Sequence, residues 1–310
     1  MKSKKNSLLQ KGVTKTKIKE SKGDRLFNIF NFIFVSVIFI IVLYPLIYVV
    51  SSSISSPEAV ISNQVRLFPV GFSLEGYRAV FAHGQIVTGF LNSFWYVVVG
   101  TAINIAFTLL AAYPLSRKDF ADRNIIMKIF AFTMMFSGGM IPTFLLVRDV
   151  GLLDTRWAMV IPNAFTVFNV IVARTFFQNT IPDELLESSK LDGCSDFGFL
   201  RRIVMPLSGT IIAVLVLFYS LAHWNTFFNA LLYLRSAELF PLQVILRNIL
   251  LLNQMDMGML GDFAEAARRE WVAALLRYSL IVVSSLPFMV LYPFVQKFFV
   301  KGMLVGAVKG

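Results

Sequence analysis

The chain has 310 residues, of which 56% are hydrophobic and only 15% charged, against a charged share of about 25% in soluble domains. That composition excludes a water-soluble fold. The net charge of +11 is a tail property, because Met1 to Arg25 holds nine Lys/Arg against two Asp/Glu, so nothing in the remaining chain points to nucleic acid. The single cysteine, Cys194, excludes an internal disulfide, and with only His83 and His223 beside it no structural zinc set can be assembled.

A bilayer core of about 30 Å is crossed by roughly 20 apolar residues in a helix. After the basic tail of residues 1–26, Phe27 to Val50 runs without a charged residue and ends at Ser51-Ser52-Ser53 and Pro57. It is longer than a signal-peptide apolar region of about 7 to 15 residues and no small-x-small cleavage site follows it cleanly, so it is read as a span. Ser73 to Phe81 predicts a short surface helix that sets Tyr77 and Phe81 at the membrane boundary. Five further apolar runs follow: Ser93 to Leu115, Ile125 to Val147, Trp157 to Phe177, Ile203 to Ala222 and Leu275 to Gln296. They are too long for barrel strands, and lipid demands internally satisfied backbone, so the expected fold is all-α and polytopic, with six transmembrane helices in residues 27–300. With the N-terminal tail inside, 20 Lys/Arg fall on the inner side and nine on the outer, which places both termini in the cytoplasm. The expected inner loop is 178–202, the long outer loop 223–271, and the inner C-terminal tail 301–310.

Ion-coupled transporters and voltage sensors hold ionisable groups at mid-membrane. The centres of these runs hold no Asp, Glu, Lys, Arg or His, so proton coupling is disfavoured. They carry neutral polar residues instead: Asn104 and Thr108, then Asn163, Thr166 and Asn169, Tyr219 and Ser220, Ser284 and Ser285. Such groups usually bond helix to helix. The trio in the fourth run recurs every third residue, which on one helix places all three along one side, lining a wet path for a hydroxyl-rich solute. No phosphate-cradling G-x-x-x-x-G-K-[ST] run, H-E-x-x-H or G-x-S-x-G is present, nor paired carboxylates or a nucleophile with its base at mid-membrane. The chain is therefore not read as an enzyme, and energy for any work comes from a partner.

The inner loop Gln178 to Arg202 carries the most information. Thr180 and Pro182 read as a helix start, with Asp183, Glu184 and Glu187 around an apolar-to-neutral stripe of Leu185, Leu186 and Ser189. Gly193 supplies the left-handed turn that stops it, and Ser195 caps a second short helix through Phe197, Phe199 and Leu200. The pair forms a compact knob hinged at a glycine.

Glu187-Ser188-Ser189-Lys190-Leu191-Asp192-Gly193, followed nine residues later by Ile203-Val204-Met205-Pro206, resembles the E-A-A-x-x-x-G and I-x-L-P signature of permease subunits in binding-protein-dependent ABC importers. Ser188 and Ser189 stand where the pattern has alanines, and Met205 where it has leucine. Asn92-Ser93, Ala111 to Arg117, Gly151 to Thr155, Trp224-Asn225-Thr226-Phe227-Phe228 and Phe299 to Gly310 are similar to the smaller, maltose-type subunit of the carbohydrate branch. Ser137 to Pro142 resembles its complex-oligosaccharide sub-branch. The resemblance spans nearly everything beyond the first 25 residues. It implies a multi-pass permease of a bacterial cell membrane, paired with a second permease, two cytoplasmic ATPases that bind Mg-ATP, and an extracellular solute-binding protein. No cofactor is expected in this chain. It further implies that Leu185 and Leu186 are apolar anchors of a coupling helix, that Glu187, Ser188 and Asp192 lie on it, with Glu187 and Asp192 its polar contacts, and that Gly193 is the hinge. The substrate path would draw on Asn163, Thr166, Asn169, Tyr219, Trp224 and Asn225. Trp224 stacks on a pyranose or joins the interfacial aromatic belt. The Met255, Met257 and Met259 segment meets the binding protein or anchors at the membrane, and the segment from Lys301 reaches between the ATPases or is a frayed end. A non-sugar solute such as a peptide or polyol, or an ATPase-independent channel, are the alternatives.

Overall fold

The structure, a computed structural model, describes residues 21–255, 271, 274, 276–293 and 296. Its regular secondary structure in that range is helical apart from one isolated bridge, Ser55 to Phe72. In chain order the helices are α1 (Lys22–Ser53), α2 (Pro57–Ile61), α3 (Glu75–Ala82), α4 (Gly84–Ser116), α5 (Arg123–Met135) and α6 (Met140–Asp149). Two 3-10 turns, Arg156–Met159 and Ile161–Asn163, lead into α7 (Val167–Thr180), α8 (Asp183–Leu191) and α9 (Asp196–Phe199). A π-turn at Leu200–Val204 joins α10 (Met205–Leu207) to α11 (Gly209–Trp224), followed by α12 (Phe228–Tyr233), α13 (Leu242–Met255) and α14 (Leu276–Pro293).

The described residues divide between Tyr48 and Val49 into two compact units. In the first, the α1 residues are apolar on every face and exposed, the surface of a helix whose solvent is lipid or another apolar chain. In the second, α4 is the central strut, packed against α11, α7, α13 and α5. Its sequence explains this: Gly89, Ser93, Gly100, Asn104, Thr108 and Ala112 recur at helical spacing as a stripe of small or short polar residues, which lets neighbouring helices approach closely. At Gly100 a Cβ would run into the imidazole of His223, so only glycine allows α11 its present distance. One apolar cluster gathers around the Ser116 end of α4, with Tyr113, Phe177, Phe199 and Leu215; another surrounds its Gly84 end, with Ile86, Trp224, Leu242 and Leu280.

Two of the expected straight spans are not straight, and a third opens differently. Ile125 to Val147 is α5 and α6 with a 112° bend at Phe136–Gly139, where Ser137-Gly138-Gly139 interrupts the helical ladder. Trp157 to Phe177 breaks by 52° between Asn163 and Val167. The Asp196–Leu207 segment meets α11 at 82° across Ser208, just after Pro206, whose missing N–H cannot continue the ladder. Among the described residues α1, α4 and α14 are each long and apolar enough to cross a membrane, and counting every bent pair as one crossing brings the candidates there to six.

Candidate functional site

The 178–202 loop folds as a two-helix knob, with one correction. Thr180 ends α7 rather than capping the next helix; Pro182 occupies the cap position of α8 without a side-chain cap, and Asp183 and Glu184 answer the exposed first-turn N–H groups electrostatically. At the other end Gly193 has φ +73°, its N–H donates to Lys190 O (3.0 Å), and the N–H of Cys194 donates to Ser189 O (2.9 Å), which closes the helix. Nothing lies within 4 Å of a Cβ built on Gly193, so the backbone angle alone selects glycine there. The Ser195 hydroxyl accepts from Gly198 N–H (3.2 Å) and starts α9 as the sequence suggests.

The knob has an inner and an outer face. Leu186 packs into the cluster of Phe177 and Phe199, and Ser189 is buried. Leu185, Glu187, Ser188 and Asp192 face outward. Beside them Leu191 is 90% exposed and Phe197 66% exposed, two apolar side chains that reading the stripe alone does not flag as surface. A cavity of ≈ 380 Å³ lies behind α8, lined by Tyr113, Arg117, Gln178, Leu186 and Phe199 among others.

Ion pairs strap this knob to the end of α4. Lys118 Nζ meets Asp183 at 2.6 Å, and Asp119 accepts from Arg117 Nε (3.0 Å), Arg117 Nη2 (2.7 Å) and Lys190 Nζ (3.3 Å). The Arg117 guanidinium, aided by Lys190, pulls the Asp119 carboxyl down to about 2. The last carbonyls of α4, which have no partner inside the helix, accept from Arg174 Nε (Leu115 O, 2.8 Å) and Gln178 Nε2 (Ser116 O, 3.5 Å) on α7. At the opposite end, Asp154 (φ +56°) accepts from the N–H groups of Arg235 and Ser236 at 2.8 Å each and from the Ser236 hydroxyl at 2.6 Å, which lowers its carboxyl below the usual range.

The polar residues of the spans do not form one stripe. Because the helix breaks after Asn163, the expected shared face of Asn163, Thr166 and Asn169 does not exist: Asn163 and Thr166 are exposed beside the break, while Asn169 is buried on α7. What the fold assembles instead is a cluster between α4, the break and α11. Asn104 Nδ2 donates to Asn163 O (2.5 Å), Asn104 Oδ1 meets His223 Nε2 (2.6 Å), Thr108 Oγ1 meets the Tyr219 hydroxyl (2.6 Å), and that hydroxyl accepts from Thr166 N–H (3.2 Å). His223, assigned by sequence to the outer loop, lies in the last turn of α11 and is buried; no periodicity signal identifies its partner 119 residues away.

Directly beyond His223, a cavity of ≈ 730 Å³ is lined by Trp224, Asn225, Gln243, Ser284, Ser285, Phe288 and Tyr292 among others. Trp224 is buried, with Nε1 donating to Ser284 O (3.0 Å) and its ring set edge-on to Phe90 and Phe288, so it is a core wall residue rather than a member of an aromatic belt. Tyr77 likewise turns inward to Ser53 Oγ (2.8 Å), while Phe81 stays exposed. Met257, Met259 and the segment 301–310 lie outside the described residues. Among the described residues no cluster of metal-ligating side chains occurs.

No protein-family model matches the chain. Individual relatives do. The chain is 42% identical over 288 residues to the polygalacturonan/rhamnogalacturonan transport system permease protein YtcP of Bacillus subtilis (strain 168), across 93% of this chain and 99% of that protein. It is 39% identical over 290 residues to Protein LplC of the same strain, across 94% and 97%. A chain of a bacterial ABC transporter involved in the import of the acidic polysaccharide alginate matches with a TM-score of 0.83 at 34% identity, covering 91% of this chain and 99% of that one. The chain belongs to the permease subunits of carbohydrate ABC transporters. Within them it falls in the oligosaccharide branch, whose members are membrane subunits of sugar importers.

Proposed function

We propose that this protein is one half of the membrane pathway of an ATP-driven oligosaccharide importer, crossing the membrane six times with both termini in the cytoplasm. The observation that carries the reading is the outward face of the α8–α9 knob, where Leu185, Leu191 and Phe197 stand among Glu187, Ser188 and Asp192 on a segment strapped to α4. Such a face suits insertion into a cleft on a cytoplasmic ATPase, which binds the Mg-ATP that this chain has no motif to hold. A second permease completes the path, and an extracellular binding protein delivers the solute. On this side of the path, Trp224 and Asn225 border the ≈ 730 Å³ cavity, whose lining sets the polar groups of Asn225, Gln243, Ser284 and Ser285 among a majority of apolar side chains, a mixture that suits the hydroxyls and ring faces of a sugar. Asn163 and Thr166 lie at the helix break, and Asn169 and Tyr219 stand buried behind. The cargo is an oligosaccharide derived from a polysaccharide of the kind for which the relatives are named.

Reconstitution of the full complex in proteoliposomes tests this. ATP-dependent uptake of labelled oligosaccharide is expected only with the ATPases and loaded binding protein present. Uptake without the ATPases would establish the channel alternative, and uptake of a peptide or polyol in place of any oligosaccharide would establish the other.

A further inference from the structure

Asn104 bonds in two directions at once. Its Nδ2 can only donate, and it donates to the carbonyl of Asn163, so Oδ1 is the atom that faces His223 and Nε2 is the ring nitrogen that donates to it. The ring lies against Gly100, in space that a single Cβ would close. Asn163 is the last residue before the break at residues 164–166, and beyond that break α7 runs to Thr180, joined to the knob's first helix by the two extended residues Ile181 and Pro182. His223 is the residue before Trp224 and Asn225, which border the large cavity.

We infer that His223 is a positioning residue for transport: through Asn104 it fixes the Trp224–Asn225 end of α11 to the hinge that begins α7, so that displacement of α7 by the coupling knob moves the cavity wall. The inference rests on the importer reading above. Apolar packing alone holds two such helices together but lets them slide in register. A directional bond from a buried donor to an amide that is itself anchored on the hinge carbonyl defines one register. The Thr108–Tyr219–Thr166 bonds tie the same three elements one turn further along and keep the linkage short.

The test uses the reconstituted complex with binding protein and oligosaccharide, and reads assembly, ATP hydrolysis stimulated by loaded binding protein, and solute moved per ATP. His223→Leu is expected to assemble and hydrolyse ATP while solute moved per ATP falls about tenfold, as expected when the partner of a buried hydrogen-bonding group is removed. His223→Gln, whose Nε2 can donate to Asn104 Oδ1, is expected to recover most of it. His223→Phe keeps the ring volume above Gly100 without the donor and is read in the same way should the leucine variant not assemble. Wild-type transport per ATP in the leucine or phenylalanine variant overturns the inference. So does equal failure of the glutamine and leucine variants, or loss of assembly in both variants lacking the donor, which makes the histidine purely structural. Failure of the importer reading is seen separately, as absence of oligosaccharide uptake by the unaltered complex.

Discussion

At the scale of single residues, Gly193 joins sequence to mechanism most directly. Its φ of +73° is a region where an L-residue costs roughly 1–2 kcal/mol and a β-branched one more. No neighbour fills the space a side chain would enter, so strain and not collision is the penalty. Gly193→Val is therefore expected to distort the link between α8 and α9 and to uncouple ATP hydrolysis from transport. Gly193→Asn, which tolerates the left-handed region, should keep most of the coupling. ATPase stimulation by loaded binding protein, measured with uptake in the same proteoliposomes, checks both; an unimpaired valine variant would remove the hinge assignment. This glycine was legible from sequence because helix stops follow local rules. The outward position of Leu191 and Phe197 was not, since which side of a short helix is buried depends on where Tyr113 and Phe177 arrive from other elements.

At the scale of elements, apolar runs located the spans but could not show their breaks. A break changes neither composition nor periodicity enough to register: Trp157 to Phe177 reads as one apolar run, yet Asn163 and Thr166 flank a 52° bend. The polar side chains that satisfy the bend come from Asn104 and Tyr219, far away in sequence. The strap between the 117–119 turn and α8 was likewise invisible, because ion pairs across 71 residues leave no local pattern. That strap has a testable pH dependence. The Asp119 carboxyl is depressed to about 2, chiefly by the Arg117 guanidinium. A depressed acid stabilises the fold above its unfolded value of about 4 and loses that contribution as pH falls through the folded one. Association of the α8 knob with the end of α4 should accordingly weaken between about pH 4 and 2, by a modest amount because Asp119 is half exposed. Hydrogen exchange of the α8 amides in detergent, expressed relative to the intrinsic exchange rate at each pH, should rise over that window in the natural protein. In Asp119→Asn it should be raised already at neutral pH and change less; identical profiles for both would show that the strap adds nothing.

At the scale of the whole molecule, the question is which polar residues belong to the path and which hold the helices together. Spacing put Asn169 on the expected substrate path, and the Trp224–Phe228 stretch put Asn225 there beside it. The fold separates them. Asn169 is 5% exposed, on α7 beside Val170 and Ala173, whose side of the helix joins the cluster around Tyr113 and Leu215. Asn225 is exposed at the end of α11, with its Nδ2 returned to Leu221 O (2.9 Å) and its side chain bordering the ≈ 730 Å³ cavity. Asn225→Leu removes a donor and an acceptor from the cavity wall without touching a buried interface, so assembly and basal ATP hydrolysis should stay near normal while uptake per assembled complex falls. Asn169→Leu should do the reverse, lowering the yield and thermal stability of the complex by on the order of 0.6 kcal/mol or more, the average for a polar contact between membrane helices, while the complex that survives transports normally. Uptake normalised to assembled complex, measured beside a thermal-stability assay, distinguishes the two. Normal uptake in Asn225→Leu would take the cavity out of the solute route, and a transport defect in a stable Asn169→Leu complex would move the route to the α7 side of α4.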